Sequence, residues 1–295
     1  AGEVTFGVDL TGFSTRVTQD GSSWNDGDKI GTYVLDMKTL EPVTEAANVP
    51  YVCSEEGASV SFTSTTPLKV QNDGTPVKFV AYYPYNADVR NFNYPVQLAA
   101  QERGSTACDL LYAATKEEYT YSPENEPHIS LNFTHRLAKV ILKFVNMEKE
   151  PLEVSDVRIE GMQTAASFNI QTDVLTVDES SVATINPYHN ATTGFYEAII
   201  LPSALTDSYK VSFVLDDREK EWIFTNLDIA LPQFHKGYSY TFALYIDDSG
   251  FVEMGRLENV EGGNSSAPWE DGSSEDGTAE GDKTPVSGYA FTPAD

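Results

Sequence analysis

The sequence predicts an all-β protein made of two β-sandwich domains and a flexible acidic C-terminal tail. Three observations carry that expectation. Strand and turn formers dominate, with 16 Tyr, 15 Phe, 20 Gly and 15 Pro, a composition of short strands joined by turns rather than of helices. At 295 residues the chain exceeds one ordinary core and suits two domains of about 100–150 residues each. The third observation is a change of apolar phase near the middle of the chain.

That change lies in Ile129–Asn146, ISLNFTHRLAKVILKFVN. Ile129, Leu131 and Phe133 stand at every second position, the pattern of a strand with one buried face. The alternation resumes at Leu137 and continues through Val140, Leu142 and Phe144, having slipped by one residue across Ala138. A strand changes faces only through a bulge, a bend or a move to another sheet. The chain is therefore expected to leave one sandwich here and open the next. Residues 1–134 would form the N-terminal domain and 135–258 the C-terminal one, with Leu142 and Phe144 in the second core. One long bulged strand in a single sheet is the alternative.

The elements follow in order. Val4, Phe6, Val8 and Leu10 alternate strictly with Thr5, Gly7 and Asp9, the cleanest half-buried strand in the sequence. Arg16 comes next, in an exposed-looking Ser-Thr-Arg-Val-Thr segment, and it is the only basic residue before Lys29. Trp24-Asn25-Asp26-Gly27-Asp28 reads as a turn in which Gly27 supplies a positive φ. Asp26 and Asp28 lack the further carboxylates of a calcium loop, so turn chemistry is the reading for them. Strands are expected at Ile30–Leu35, Ser59–Phe62, Leu68–Val70, Val77–Tyr82 and Asp109–Ala113. Residues 41–58 read as loop, and a short helical turn is expected near Val96–Arg103.

In the second half, Leu152–Ile159, Ala166–Ile170, Val174–Val177 and Phe195–Leu201 read as strands. Lys210–Leu215 and Glu221–Leu227 flank Asp216-Asp217-Arg218-Glu219 as a hairpin, and Tyr238–Ile246 is a further strand. Residues 258–283 then carry eight acids among Gly and Ser with one base, Lys283. Such a segment buries too little to offset its ordering entropy. Residues 259–295 are expected to be a flexible tail with Trp269 as its one anchor, and Val286, Tyr289 and Phe291 do not share one strand face.

Charge and motifs narrow the function. A formal net charge of −26 repels phosphate backbones and anionic lipid, so no nucleic-acid partner is expected. No apolar run approaches the roughly 20 residues that span a bilayer. A targeting segment, if the protein is exported, would lie outside this sequence. Cys53 and Cys108 could form one bridge in an exported chain, or remain free. No metal site and no cofactor are expected, because no His stands at ligand spacing from a cysteine. His128, His135, His189 and His235 are scattered, and His135 reads as a strand-end residue bonded to backbone. HExxH, GxSxG, P-loop and dinucleotide patterns are absent from the sequence, so no catalytic residue is assigned and a non-enzymatic role is expected. A glycosidase would need two carboxylates converging in a cleft, which sequence spacing does not show.

Several stretches together resemble the fimbrillin family, the pilus subunits of Gram-negative oral and gut bacteria of the Bacteroidales. They are Ser14-Thr15-Arg16 with Trp24–Gly31, Phe79–Tyr85, Asp109–Ala113, Leu131–Val140, Ile199–Pro202 and Tyr238–Phe242. The resemblance implies transthyretin-like sandwiches, export to the cell surface as an outer-membrane lipoprotein, and assembly with other pilin subunits. It also implies an Arg-specific processing protease, which places the cut at Arg16. The strand of Val4, Phe6, Val8 and Leu10 would then be displaceable, a neighbouring subunit's strand taking its place by donor-strand exchange. A stalk subunit is expected to end in a good donor strand, whereas Thr284–Asp295 alternates badly, so an accessory or tip (adhesin) role is the expectation. A surface glycan-binding lipoprotein of a polysaccharide-uptake system is the alternative.

Overall fold

The computed structural model describes residues 1–8, 23–45, 47–57, 59–124, 127–147, 153–247 and 252–262. Among them the regular elements are strands, apart from one 3-10 turn at Thr106–Cys108. The all-β expectation holds because short apolar alternations, broken by Pro, Gly and Asp-rich turns, bury one face only when paired into sheets.

The N-terminal half is organised by an eight-stranded sheet. Its spatial order is His128–Ser130, Thr5–Val8, Val60–Thr63, Val49–Cys53, Lys29–Asp36, Val77–Tyr83, Leu111–Ala114 and Thr134–His135. Phe6, Trp24, Tyr51, Phe62, Phe79 and Phe133 are fully buried in the core it encloses. The inner strands are buried on both faces. Ile30 and Val34 point into this core, whereas Tyr33 and Leu35 point into a second apolar layer. Phe79 and Ala81 divide from Val80 and Tyr82 in the same way.

The second half centres on Ala138–Asn146, which lies between Tyr196–Ile200 and Tyr238–Ile246. Val154–Glu160, Lys210–Leu215 and Arg218–Ile223 form a separate three-stranded sheet, and Trp222, Phe213, Phe224 and Phe242 fill the core nearby. The phase slip has a physical cause. Leu137 packs in the layer between the halves, and Ala138, Val140 and Leu142 pack in the second core. Phe144, expected in the second core, packs against it half-buried, with its ring 4.9 Å from that of Phe213.

The halves share more than a linker. Asn93–Gln97 from the first half pairs with Ala165–Asn169 from the second, and Val174–Val177 completes that sheet. Tyr94, Val96, Phe168, Ile170 and Ile199 lie in the apolar layer between it and the eight-stranded sheet. Gln101 is buried there: its Nε2 donates to the carbonyls of Leu98 at 2.8 Å and Ile199 at 2.7 Å. Its Oε1 accepts from the Ile199 amide at 2.8 Å. Arg136 closes the seam outside, reaching Asp173 with Nε at 2.6 Å and Nη2 at 3.0 Å.

Local expectations fail where proline misleads. Residues 41–58 read as loop, yet Val49–Cys53 is a strand. Its neighbour Val60–Thr63 engages only Val52 and Cys53, so Pro50 sits where one ladder is already open. Val96, expected to start a helical turn, lies in the strand Asn93–Gln97, which is a sheet edge that tolerates Pro95. The hairpin after Leu215 is tighter than expected. Its turn is Asp216-Asp217, both with positive φ (48° and 60°), and Arg218 already pairs with Leu215. The last strand runs Val252–Gly262 against Tyr238–Ile246, reaching four residues into the segment expected to be tail. Residues 263–295, with Trp269, Val286, Tyr289 and Phe291, lie outside the described residues.

Candidate functional site

The N-terminal strand is the candidate site, and its sequence explains its seat. Val4, Phe6 and Val8 are buried while Thr5 is exposed. Phe6 meets Tyr51 edge-on at 4.8 Å and Phe79 at 5.8 Å. Burying these three side chains contributes about 5–9 kcal/mol gross. Leu10 and Arg16 lie outside the described residues, so the geometry here concerns Val4, Phe6 and Val8.

The strand is hydrogen-bonded on both sides. Phe6, Gly7 and Val8 oppose Phe62, Ser61 and Val60 in antiparallel register. On the other side Thr5, Phe6 and Gly7 run parallel to His128, Ile129 and Ser130. The Thr5 amide donates to the Pro127 carbonyl and the Leu131 amide to the Gly7 carbonyl, both at 2.9 Å. Just before it, Gly2–Glu3 pairs with Lys69–Val70, and the Val4 amide donates to Leu68 at 2.9 Å. The Tyr51 hydroxyl ties these together, donating to the Val4 carbonyl at 3.0 Å and accepting from the Leu68 amide at 2.8 Å. Burial pushes its pKa up to about 12, so it stays a donor at neutral pH.

Close approach also constrains Gly7. A Cβ there would lie 2.7 Å from the His128 ring, so a larger residue would push that ring aside. His128 in turn hydrogen-bonds the Thr5 hydroxyl through Nδ1 at 3.0 Å. His128–Ser130 ends its sheet, with the N-terminal strand as its ladder neighbour. A cleft of about 710 Å³ is lined by His128, Ile129 and Ser130 together with Ala113–Tyr119. Taking away Thr5–Val8 would therefore expose an apolar trough with unpaired edges on both flanks.

Other sequence readings find their places. Gly27 has φ +88°, and the turn around it is closed by the Asn25 amide donating to Asp28 Oδ2 at 2.7 Å, which is turn chemistry. Burial is the main cause that raises the Asp28 pKa. His135, expected to bond backbone, holds the Asp109 carboxylate through Nδ1 at 2.9 Å, its pairing with Leu111 bringing Asp109 alongside. Cys53 and Cys108 are both free thiols, the first buried in the N-terminal core and the second beside the layer between the halves. Among the described residues no group of three or more His, Cys, Asp or Glu could hold a metal ion. No helix among them is long and apolar enough to cross a membrane. Sequence reasoning missed Tyr51 and Gln101; neither stands in a pattern, since each acts through backbone groups distant in the chain.

A sequence profile described as fimbrillin-like matches residues 15–269. Among curated proteins no relative matches the chain. Of the solved structures, a candidate cell adhesion protein of Bacteroides uniformis superposes with a TM-score of 0.71 at 22% identity, covering 88% of this chain and 98% of that one. A candidate cell adhesion protein of Bacteroides ovatus gives 0.65 at 16% identity, covering 88% and 96%. At these identities the likeness establishes the shared fold.

Proposed function

The chain belongs to the fimbrillin-like family, and from that premise we propose that it is a non-enzymatic pilus subunit assembling by exchange of its N-terminal strand. A role in surface adhesion or as a pilus subunit, at the cell surface and in contact with other subunits, goes with the family. The observation that carries the finer reading is the seat of Thr5–Val8, paired on both flanks and buried through Val4, Phe6 and Val8. A strand supplied by another subunit would recover the same burial and ladder bonds, the logic of donor-strand complementation.

For exchange to occur, the covalent link between this strand and the remainder must be cut. Arg16 is the basic residue between the strand and Lys29, and we assign it as the cut made by an Arg-specific protease. A lipoprotein anchor would hold the subunit at the outer membrane until that cut. The accessory or tip assignment rests on residues 284–295, whose apolar positions do not share one strand face.

Limited digestion with an Arg-specific protease, followed by light scattering, tests the proposal. The wild type should lose its first residues and form oligomers. Arg16→Ala should keep the same fold and melting temperature and remain monomeric. A cleaved wild type that stays a stable monomer would overturn strand exchange.

A further inference from the structure

A cavity of about 470 Å³ opens on the N-terminal half and shares no lining residue with the N-terminal strand. The strand Lys29–Asp36 supplies Tyr33 to it, and Tyr85, Arg90, Asn91 and Phe92 line it from the loop after Val77–Tyr83, with Asn48 opposite. Two independent features mark it as a site.

The first is Tyr33. It is only 3% exposed, yet its hydroxyl has no hydrogen-bond partner among the described residues. The buried unpartnered side-chain groups among the described residues are Trp24 Nε1 and Arg158 Nε, so the Tyr33 hydroxyl is not sealed in the core but is open to what enters the cavity it lines. Burial pushes its pKa up to about 12, so it presents a neutral O–H.

The second is the turn Arg90–Asn93, closed by the Asn93 amide donating to the Arg90 carbonyl at 3.0 Å. Its central residues Asn91 and Phe92 both have positive φ, 51° and 61°. Asn at the first of these places is common and Gly is the usual choice at the second. A phenylalanine there holds strained backbone, and such outliers persist where a site uses them. The Phe92 ring lies 4.8 Å from that of Tyr33 at 42°, and its carbonyl accepts from Ile170 at 2.8 Å, which fixes the turn.

The polar groups around the cavity are oriented. Asn48 accepts the Tyr82 hydroxyl at 2.6 Å and donates to the Asn86 carbonyl at 2.9 Å, leaving one amide N–H. Arg90 spends Nη1 on the carbonyls of Ala87 and Val89, at 2.7 Å and 2.9 Å, and keeps its other N–H groups. Aromatic faces beside fixed amides and a lone hydroxyl suit a ligand with an apolar C–H face and a rim of hydroxyls. A chain of net charge −26 disfavours an anionic polymer. We propose that this cavity binds a neutral pyranose ring of a glycan, with Phe92 and Tyr85 on its C–H face and Tyr33, Asn91 and Arg90 on its hydroxyls.

The proposal goes beyond strand exchange and concerns the unprocessed monomer, so each can fail without the other. Saturation-transfer NMR on the intact chain, with methyl glucoside, methyl galactoside, methyl mannoside and 3′-sialyllactose as probes, tests it. At least one neutral pyranoside should receive saturation. Tyr33→Phe should weaken its binding roughly five- to tenfold, the loss of one hydrogen bond, with an unchanged melting temperature. Tyr85→Ala should abolish the signal; if that variant fails to fold, Tyr33→Phe decides alone. No transfer to any of the three neutral probes, transfer to the sialylated probe only, or equal binding by Tyr33→Phe would overturn the assignment.

Discussion

The N-terminal strand and the seam between the halves are both buried, but they are held in different ways. The segment Val4–Val8 is held by ladder bonds and by the buried side chains of Val4, Phe6 and Val8. The seam combines an apolar layer with a shared three-stranded sheet, the buried Gln101 and the Arg136–Asp173 pair. Everything that holds the strand can be reproduced by another extended chain of like pattern. What holds the seam cannot, because Gln101 and Arg136 address particular backbone and carboxylate groups. Burial alone therefore does not distinguish a permanent contact from an exchangeable one; the chemistry of the contact does.

Core truncations should break the comparison most strongly. Phe6→Ala and Phe168→Ala should each cost about 3–5 kcal/mol in the intact chain, measured by denaturant unfolding. Once the chain is cut and the strand is gone, Phe6→Ala should become silent while Phe168→Ala keeps its full cost. A Phe6→Ala loss below about 0.5 kcal/mol in the intact chain would contradict the seating described here.

Gln101→Ala sharpens the seam side. It leaves both Ile199 backbone groups and the Leu98 carbonyl without this partner, a loss of about 2–4 kcal/mol. A neutral result would mean that water or backbone rearrangement satisfies them. Tyr51→Phe should cost about 1–2 kcal/mol, since one hydroxyl serves both Val4 and Leu68. At the small end, Lys69→Ala removes an exposed pair with Glu3 at 3.5 Å and should change stability by less than about 0.5 kcal/mol.

The strand was legible in the sequence and the seam was not. Val4, Phe6 and Val8 announce one buried face by their spacing, and so do Val211, Phe213 and Leu215 in the hairpin. The parallel neighbour His128–Ser130 cannot be read from either strand alone, because pairing over more than a hundred residues leaves no local trace. Ile30–Leu35 and Val77–Tyr82 read as strands, but their second buried face depends on Asn93–Gln97 and Ala165–Asn169 meeting across the halves. Pro50 and Pro95 hid two strands because open ladder edges accept the residue that central positions refuse. Gln101 carries no pattern at all: a glutamine among Ala, Glu and Arg looks solvated until Ile199 is placed beside it.

The central claim is that the seat of Thr5–Val8 accepts a strand supplied from outside. Fluorescence anisotropy with a labelled peptide of residues 1–10, AGEVTFGVDL, added to the protease-cleaved protein stripped of its own strand, measures this directly. Saturable binding that is lost when the peptide carries Phe6→Asp is the predicted result. No binding to the cleaved protein, or equal binding by the Phe6→Asp peptide, would contradict the account.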